Sequence, residues 1–429
     1  MTESNGLIVF RSEMRDKVEV LVSSDGSGLT VYDDQTGNQL HHYKTGQTAG
    51  GTVTWLGQDW LMSAGRDKPL LNVWQVNKSE QSSVRLFSPA TVSAMAASPS
   101  GLYLVVATQE NLNIYLVSTG ELLGVVSRHY QPVTVLAWTD DSSHCVSGGE
   151  DGQVLVWSLV AAVSRRHLPG LQQSKLGQVE PRYSWTDHAL PVTALRVGRG
   201  AANMARLVTA SRDMTVKVYS LTRGLLLLSV SLTSPVTSLA MDNMETVVWA
   251  GLQSGEVARL SLLSPPRDVT VSSETLEATS LTGGHSTSIT QLALSCDGLS
   301  LASGDTEGNI HIWDSVSAQI VRTIKHRTAI THLEFVLTPP SLVNKESWCP
   351  TIKVVPLQKG LRQQGDKFQC ILQRKNDLEV PDDGKVVGME AECEVDDEDV
   401  SRSDHTVEEL KQINNKLYKY ALKNVIDSR

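Results

Sequence analysis

The sequence predicts an all-β fold: a seven-bladed β-propeller, followed by a C-terminal acidic linker and a coiled-coil α-helix. Three observations carry this. First, three segments align without gaps: CVSGGEDGQVLVWSL (145–159), LVTASRDMTVKVYSL (207–221) and LASGDTEGNIHIWDS (301–315). Each is an apolar strand, a small-residue turn with an acidic position, and a second strand ending in an aromatic. Second, weaker copies at 18–34, 61–76, 102–117 and 246–262 bring the repeats to seven, and their equivalent positions are Tyr32, Trp74, Tyr115, Trp157, Tyr219, Leu260 and Trp313. Four of the six intervals between them are 41 or 42 residues, the period of a four-stranded blade. Third, the strand pattern stops near residue 360, where an acidic run and then a Gly- and Pro-free amphipathic stretch take over.

Composition fits this division. Hydrophobic content of 40% and only 15 Pro exclude a disordered chain. Nine Trp and nine Tyr against four Phe suit short strands that each set one amphipathic ring at a half-buried edge. Five scattered Cys without a C-x-x-C pair argue against a disulfide framework or zinc site and for a reducing compartment. The N-terminus MTESNGLIVFRSEMRDK lacks a basic-then-apolar leader pattern, and no apolar run nears the roughly 20 residues of a membrane helix. The acidic run 377–399 holds eleven Asp and Glu against Lys385 alone, a charge of −10. The whole chain carries −9, so the remainder sums to about +1, which argues against a dominant nucleic-acid footprint.

Within the strong copies the acidic residue precedes the aromatic by six: Asp151 and Trp157, Asp213 and Tyr219, Glu307 and Trp313. A His lies upstream of each, four residues before a β-branched residue: His129, His188 and His285. The expected network runs from the carboxylate to the His ring. It continues to a strand hydroxyl (Ser147, Thr209 or Ser303) and on to the aromatic's polar atom. Such a chain satisfies several buried polar groups at once. These sets resemble catalytic constellations, but they recur from blade to blade, which points to a structural role.

This pattern resembles the WD40 repeat family. Copies two, three and six depart from it: one extra residue separates Asp67 from Trp74, Glu110 is only five before Tyr115, and Leu232 and Leu260 replace the His and Trp. Those blades are expected to hold by apolar packing.

The domain boundaries follow. Residues 1–337 form the propeller, with insertions at 161–184 and 264–283 after the third strands of two blades. Insertions there project from one face of the ring, either as idle loops or as partner surfaces. The segment HRTAITHLEFVL (326–337) is expected to complete the first blade, with LIVF (7–10) competing for the slot. Residues 338–404 make an extended segment, with TIKVVPL (351–357) along the propeller's side, and the acidic linker. Residues 405–427 form the helix, capped by Ser403 or Asp404. Val407, Leu410, Ile413, Leu417, Tyr420 and Asn424 are spaced as an a/d seam. That stripe needs a cover: a second copy, a helical-repeat partner or the chain's own propeller.

No enzyme motif survives inspection: G-x-S-x-G, G-x-x-x-x-G-K-[ST] and H-E-x-x-H are all missing. His41 and His42 are adjacent on a strand and face opposite sides, so they cannot share a metal. No catalytic residue, metal or cofactor is therefore expected. Arg165-Arg166-His167 is too small a basic spot to anchor RNA.

A more specific resemblance lies in SRHYQPVTVLAWTDDSSHCVSGGEDGQVLVWSLV (127–160), WTDHALPVTAL (185–195), SPSGLYLVVA (98–107) and the tail. These are similar to the WD40 subunits of the rixosome, a nuclear assembly on large-ribosomal-subunit precursors. The resemblance implies a scaffold in processing the internal transcribed spacer of precursor rRNA and in maturing the large subunit. It also implies a nucleolar and nucleoplasmic location, with the cytoplasm as a further one. The implied partners are a helical-repeat scaffold protein, a SUMO protease and an endonuclease module reached indirectly, the pre-large-subunit particle, and a second copy through the C-terminal helix. No membrane is implied. A signalling or trafficking scaffold and a role in replication-origin licensing are the alternatives. A propeller enzyme would need convergent carboxylates or metal ligands, which the repeats do not supply.

Overall fold

Strand after strand shows the same burial, with buried runs such as Leu104–Thr108 and Cys145–Gly149 at the centre of each sheet and mixed patterns at its two edges. Central strands covered on both faces read as continuous apolar runs, and edge strands alternate. In the computed structural model, residues 19–44, 48–164, 179–200, 204–263, 268–274, 279–281, 283–339, 342 and 352–358 are described. The chain divides into two compact units, Met1–Ile371 and Leu372–Arg429, and every described residue belongs to the first. The acidic linker and the helix over 405–427, with its seam from Val407 to Asn424, lie outside the described residues, as do Arg165, Arg166 and His167.

Seven sheets make the ring, antiparallel throughout except for one added strand in blade five. Blade four shows the plan. Its innermost strand Val133–Trp138 pairs with His144–Gly149, then Val154–Ser158, then the outer Tyr183–Trp185. Side chains from facing blades interleave into separate apolar clusters, such as Val146, Val154 and Val156 against Val192, Leu195 and Leu207 between blades four and five. Burial of those faces is the main stabilising term.

Blade one closes the ring. Its strands Glu19–Ser24, Gly28–Asp33 and Gln39–Lys44 come from the start of the described chain, while its innermost strand His332–Leu337 comes from the other end. Of the two candidate segments, 332–337 therefore holds the slot, and residues 7–10 lie outside the described residues.

Both insertions differ from free loops. Residues 159–164 form a short helix beside the outer strand Glu121–Ser127 of blade three, so close that a Cβ on Gly124 would meet the Ala162 carbonyl at 2.8 Å. Tyr183 and Ser184 belong to the fourth strand of blade four rather than to the insertion. The second insertion adds a strand, Thr270–Ser272, to the outer edge of blade five in parallel register with Ser229–Ser231. An outer strand offers a row of unpaired N–H and C=O groups, and this insertion satisfies part of it.

Residues 352–358 pack against blades two and three, and Val354 and Leu357 join an apolar cluster that includes Trp60, Leu104 and Leu122.

Candidate functional site

The polar sets of the blades are hydrogen-bonded clusters that tie turn to sheet. In blade four, His129 Nδ1 is 3.2 Å from both carboxylate oxygens of Asp151, and its Nε2 is 2.8 Å from Ser147 Oγ. Trp157 Nε1 donates to the same Oγ at 2.9 Å. Burial pushes the Asp151 carboxyl up, but the His129 ring and the N–H groups of Tyr130 and Gln153 outweigh it, so its pKa falls below the usual range. The small residue before the turn has a steric reason: a Cβ on Gly149 would meet Asp151 Oδ1 at 2.5 Å and His129 Nδ1 at 2.7 Å.

Blade five repeats this with one change. His188 bridges Asp213 (2.9 Å) and Thr209 (2.8 Å), while the Tyr219 hydroxyl donates outward to Asp187 at 3.0 Å. Trp185 stacks on Tyr219 with centroids 4.5 Å apart.

Blade seven corrects one expectation. His285 Nε2 lies 2.6 Å from Ser303 Oγ, which accepts from Trp313 Nε1 at 2.8 Å, but the carboxylate on His285 Nδ1 is Asp305 at 3.0 Å. Glu307 is exposed at the apex of the turn. Asp305 ends strand Ser300–Asp305 at the position that Gly149 holds in blade four, so its carboxylate grows directly into the space beside the His. Asn309 fastens it with both its backbone N–H (2.7 Å) and its side-chain amide (2.9 Å).

A fourth set lies in blade one, where sequence reasoning placed none. His326 Nε2 lies 3.1 Å from Ser23 Oγ and 3.2 Å from Tyr32 Oη, with Asp25 at 3.8 Å from Nδ1. The signal was present in two distant halves: Ser23-Ser24-Asp25 ahead of Tyr32, and a His four residues before Ile330.

The other three blades lack the His. In blade two the hydroxyl of Ser63 and the indole N–H of Trp74 are buried without a partner among the described residues, as is the Tyr115 hydroxyl in blade three. Burial pushes the Tyr115 phenol up to about 12. In blade six Leu232 and Leu260 are buried in an apolar cluster. Among the described residues no three His, Cys, Asp or Glu side chains are grouped to hold a metal ion.

Seven sheets closed by the last strand, with His, Asp, Ser or Thr and Trp or Tyr tying turn to sheet, define a WD40 β-propeller. The family model described as WD domain, G-beta repeat matches residues 120–158 and 277–314. The chain is 33% identical to WD repeat-containing protein 18 of Danio rerio, over 82% of this chain and 81% of that one. It is 30% identical to the pre-rRNA-processing protein IPI3 of Yarrowia lipolytica, over 81% of this chain and 82% of that one. Among solved structures, the computationally designed protein Ika8 superposes with a TM-score of 0.53 at 24% identity, covering 73% of this chain and 86% of that one, which speaks for the fold alone. The chain belongs to the WD repeat-containing protein 18 family.

Proposed function

We propose that this chain is a non-enzymatic scaffold subunit of a nuclear ribosome-biogenesis assembly, supporting spacer processing in precursor rRNA and large-subunit maturation. The observation that carries this reading is the similarity, along four-fifths of both chains, to a relative named for pre-rRNA processing. The geometry agrees with it. In the four His-containing blades, the ring nitrogens face hydroxyls and carboxylates of the same blade, which suits stapling rather than turnover.

In this reading the ring is a mount, and its partners are a helical-repeat scaffold protein and, through it, a SUMO protease and an endonuclease module on the pre-large-subunit particle. A second copy joins through the a/d seam Val407, Leu410, Ile413, Leu417, Tyr420 and Asn424. The location is the nucleolus and nucleoplasm.

Affinity purification with mass spectrometry is expected to recover large-subunit precursors, and depletion is expected to accumulate spacer-containing rRNA. Unchanged precursors on depletion would overturn the reading. Light scattering separates the pairing: a chain ending at about residue 400 should halve in particle mass relative to the full chain, and an unchanged number of copies per particle sinks self-association.

A further inference from the structure

LIVF (7–10) is four apolar residues in a row, with one of the chain's four Phe, and the blade-one slot it could have filled belongs to His332–Leu337. The first strand of the described chain starts at Glu19, which pairs with Leu337 at the end of that innermost strand. The preceding residues therefore reach the ring on the face where innermost strands end. Antiparallel pairing puts the turn from first to second strand, and that from third to fourth, on this same face. Apolar side chains stand open on it. Met204 (83% exposed) and Met244 (77%) lie in the first turns of blades five and six, and Leu263 (70%) and Val316 (74%) follow the third strands of blades six and seven. On the opposite face only Tyr130 is as exposed among the described residues. Direct contacts lead from the entry point to these turns. The Cys296 N–H donates to the Glu19 carboxylate at 3.1 Å, Asn243 Nδ2 donates to the Cys296 carbonyl at 2.5 Å, and Glu245 lies 3.8 Å from Arg206 of blade five. The start of this path is acidic. Burial raises the pKa values of Glu19 and Asp34, and the charge of exposed Asp297 raises both further, so the three carboxylates feel one another. Arg206 is paired with Glu245, and Arg322 donates to the carbonyls of Asp34 and Gln35.

We propose that this face is the docking surface for the chain's own residues 7–17. Arg11, Arg15 and Lys17 lie over Glu19, Asp34 and Asp297, and Leu7–Phe10 lies over Met244, Leu263 and Met204. Three features favour this occupant. The order of chemistries along the segment matches their order along the face: cations nearest the entry point, where the acids stand, and the apolar run beyond them, where the methionines stand. The reach is sufficient, because Phe10 is nine positions from Glu19 and an extended stretch of that length spans about 30 Å. The surfaces also suit each other. Exposed apolar side chains grouped on one face mark a contact site, and unbranched Met thioethers mould to aliphatic and aromatic partners alike. Tethering at Glu19 gives the segment a high effective concentration over any free ligand.

The test uses the full chain with Phe10 replaced by the photo-crosslinker p-benzoylphenylalanine, irradiated, digested and mapped by mass spectrometry. Adducts within one chain are expected on the peptides that carry Met204, Met244 or Leu263. Adding Met244→Asp/Leu263→Asp should lower their yield about fivefold, because each change sets a charge in the apolar contact. Both side chains are exposed in turns, so the melting transition should stay in place. If that variant loses its transition, Asp297→Lys decides, and it should lower the same yield by repelling Arg15 and Lys17. Three outcomes overturn the proposal. One is adducts only elsewhere on the ring, or none. The second is a yield that the folded variant leaves unchanged. The third is adducts that join two chains, which would make a second copy the occupant of this face.

Discussion

Blades four and seven hold the same imidazole with carboxylates that start from different positions. Asp151 reaches back from the turn over a glycine, while Asp305 stands where that glycine would be. Each blade has room for one acid. Gly149→Asp alone sets two carboxylates beside one ring and is expected to destabilise blade four. Combined with Asp151→Ser it recreates the blade-seven arrangement. The pair should therefore show a favourable coupling of about 0.5–3 kcal/mol in urea denaturation of the double-mutant cycle. Acid sensitivity follows from the same contacts. Burial raises the pKa values of Asp151 and Asp305, but hydrogen bonds from His129 and the N–H groups of Tyr130 and Gln153, and from Asn309 and His285, lower them further. With folded values below the unfolded value of about 3.9, their contribution is complete above that pH and lost as pH falls through the folded values. Asp151→Asn should flatten the fall in Tm below about pH 4. The residues of blades four and five were legible because acid and aromatic keep a fixed spacing of six. In blade seven two acids share one turn, and spacing selected Glu307 where side-chain length and strand direction select Asp305.

At the scale of elements, the rim decides how sheet edges are covered. Blade three has a helix beside its outer strand and blade five a parallel strand. Insertion lengths could be read from the repeat period, but their destinations could not. A three-residue strand that pairs about forty positions away leaves no periodic trace in its own sequence. Val271 is buried between blades five and six, so Val271→Asp should cost at least about 2 kcal/mol through an unpaired buried charge. Hydrogen exchange should localise the loss to Ser229–Ser231.

At the scale of the molecule, stability rests on the latch of blade one. His332–Leu337 pairs along its full length with Glu19–Ser24, and a chain ending at residue 331 is expected to lose its cooperative melting transition. The latch also carries a titration. Burial lowers the His326 pKa, with Asp25 opposing, so the folded state binds fewer protons than the unfolded chain once pH falls below about 6.5. Stability is expected to decline from there toward the folded value. His326→Gln should reduce the drop in Tm between pH 7.5 and 5.5.

Ser23 and His326 are 303 residues apart, and that distance has a temporal meaning. A ribosome adding roughly 5–20 residues per second needs on the order of 15–60 s to make the second half of this contact after the first. Through that interval the strand Glu19–Ser24 waits with one edge bare, an open template for any other nascent strand nearby. The strand His332–Leu337 ends that exposure, and slowing elongation ahead of residue 332 should increase the chain's demand for chaperones during its own synthesis.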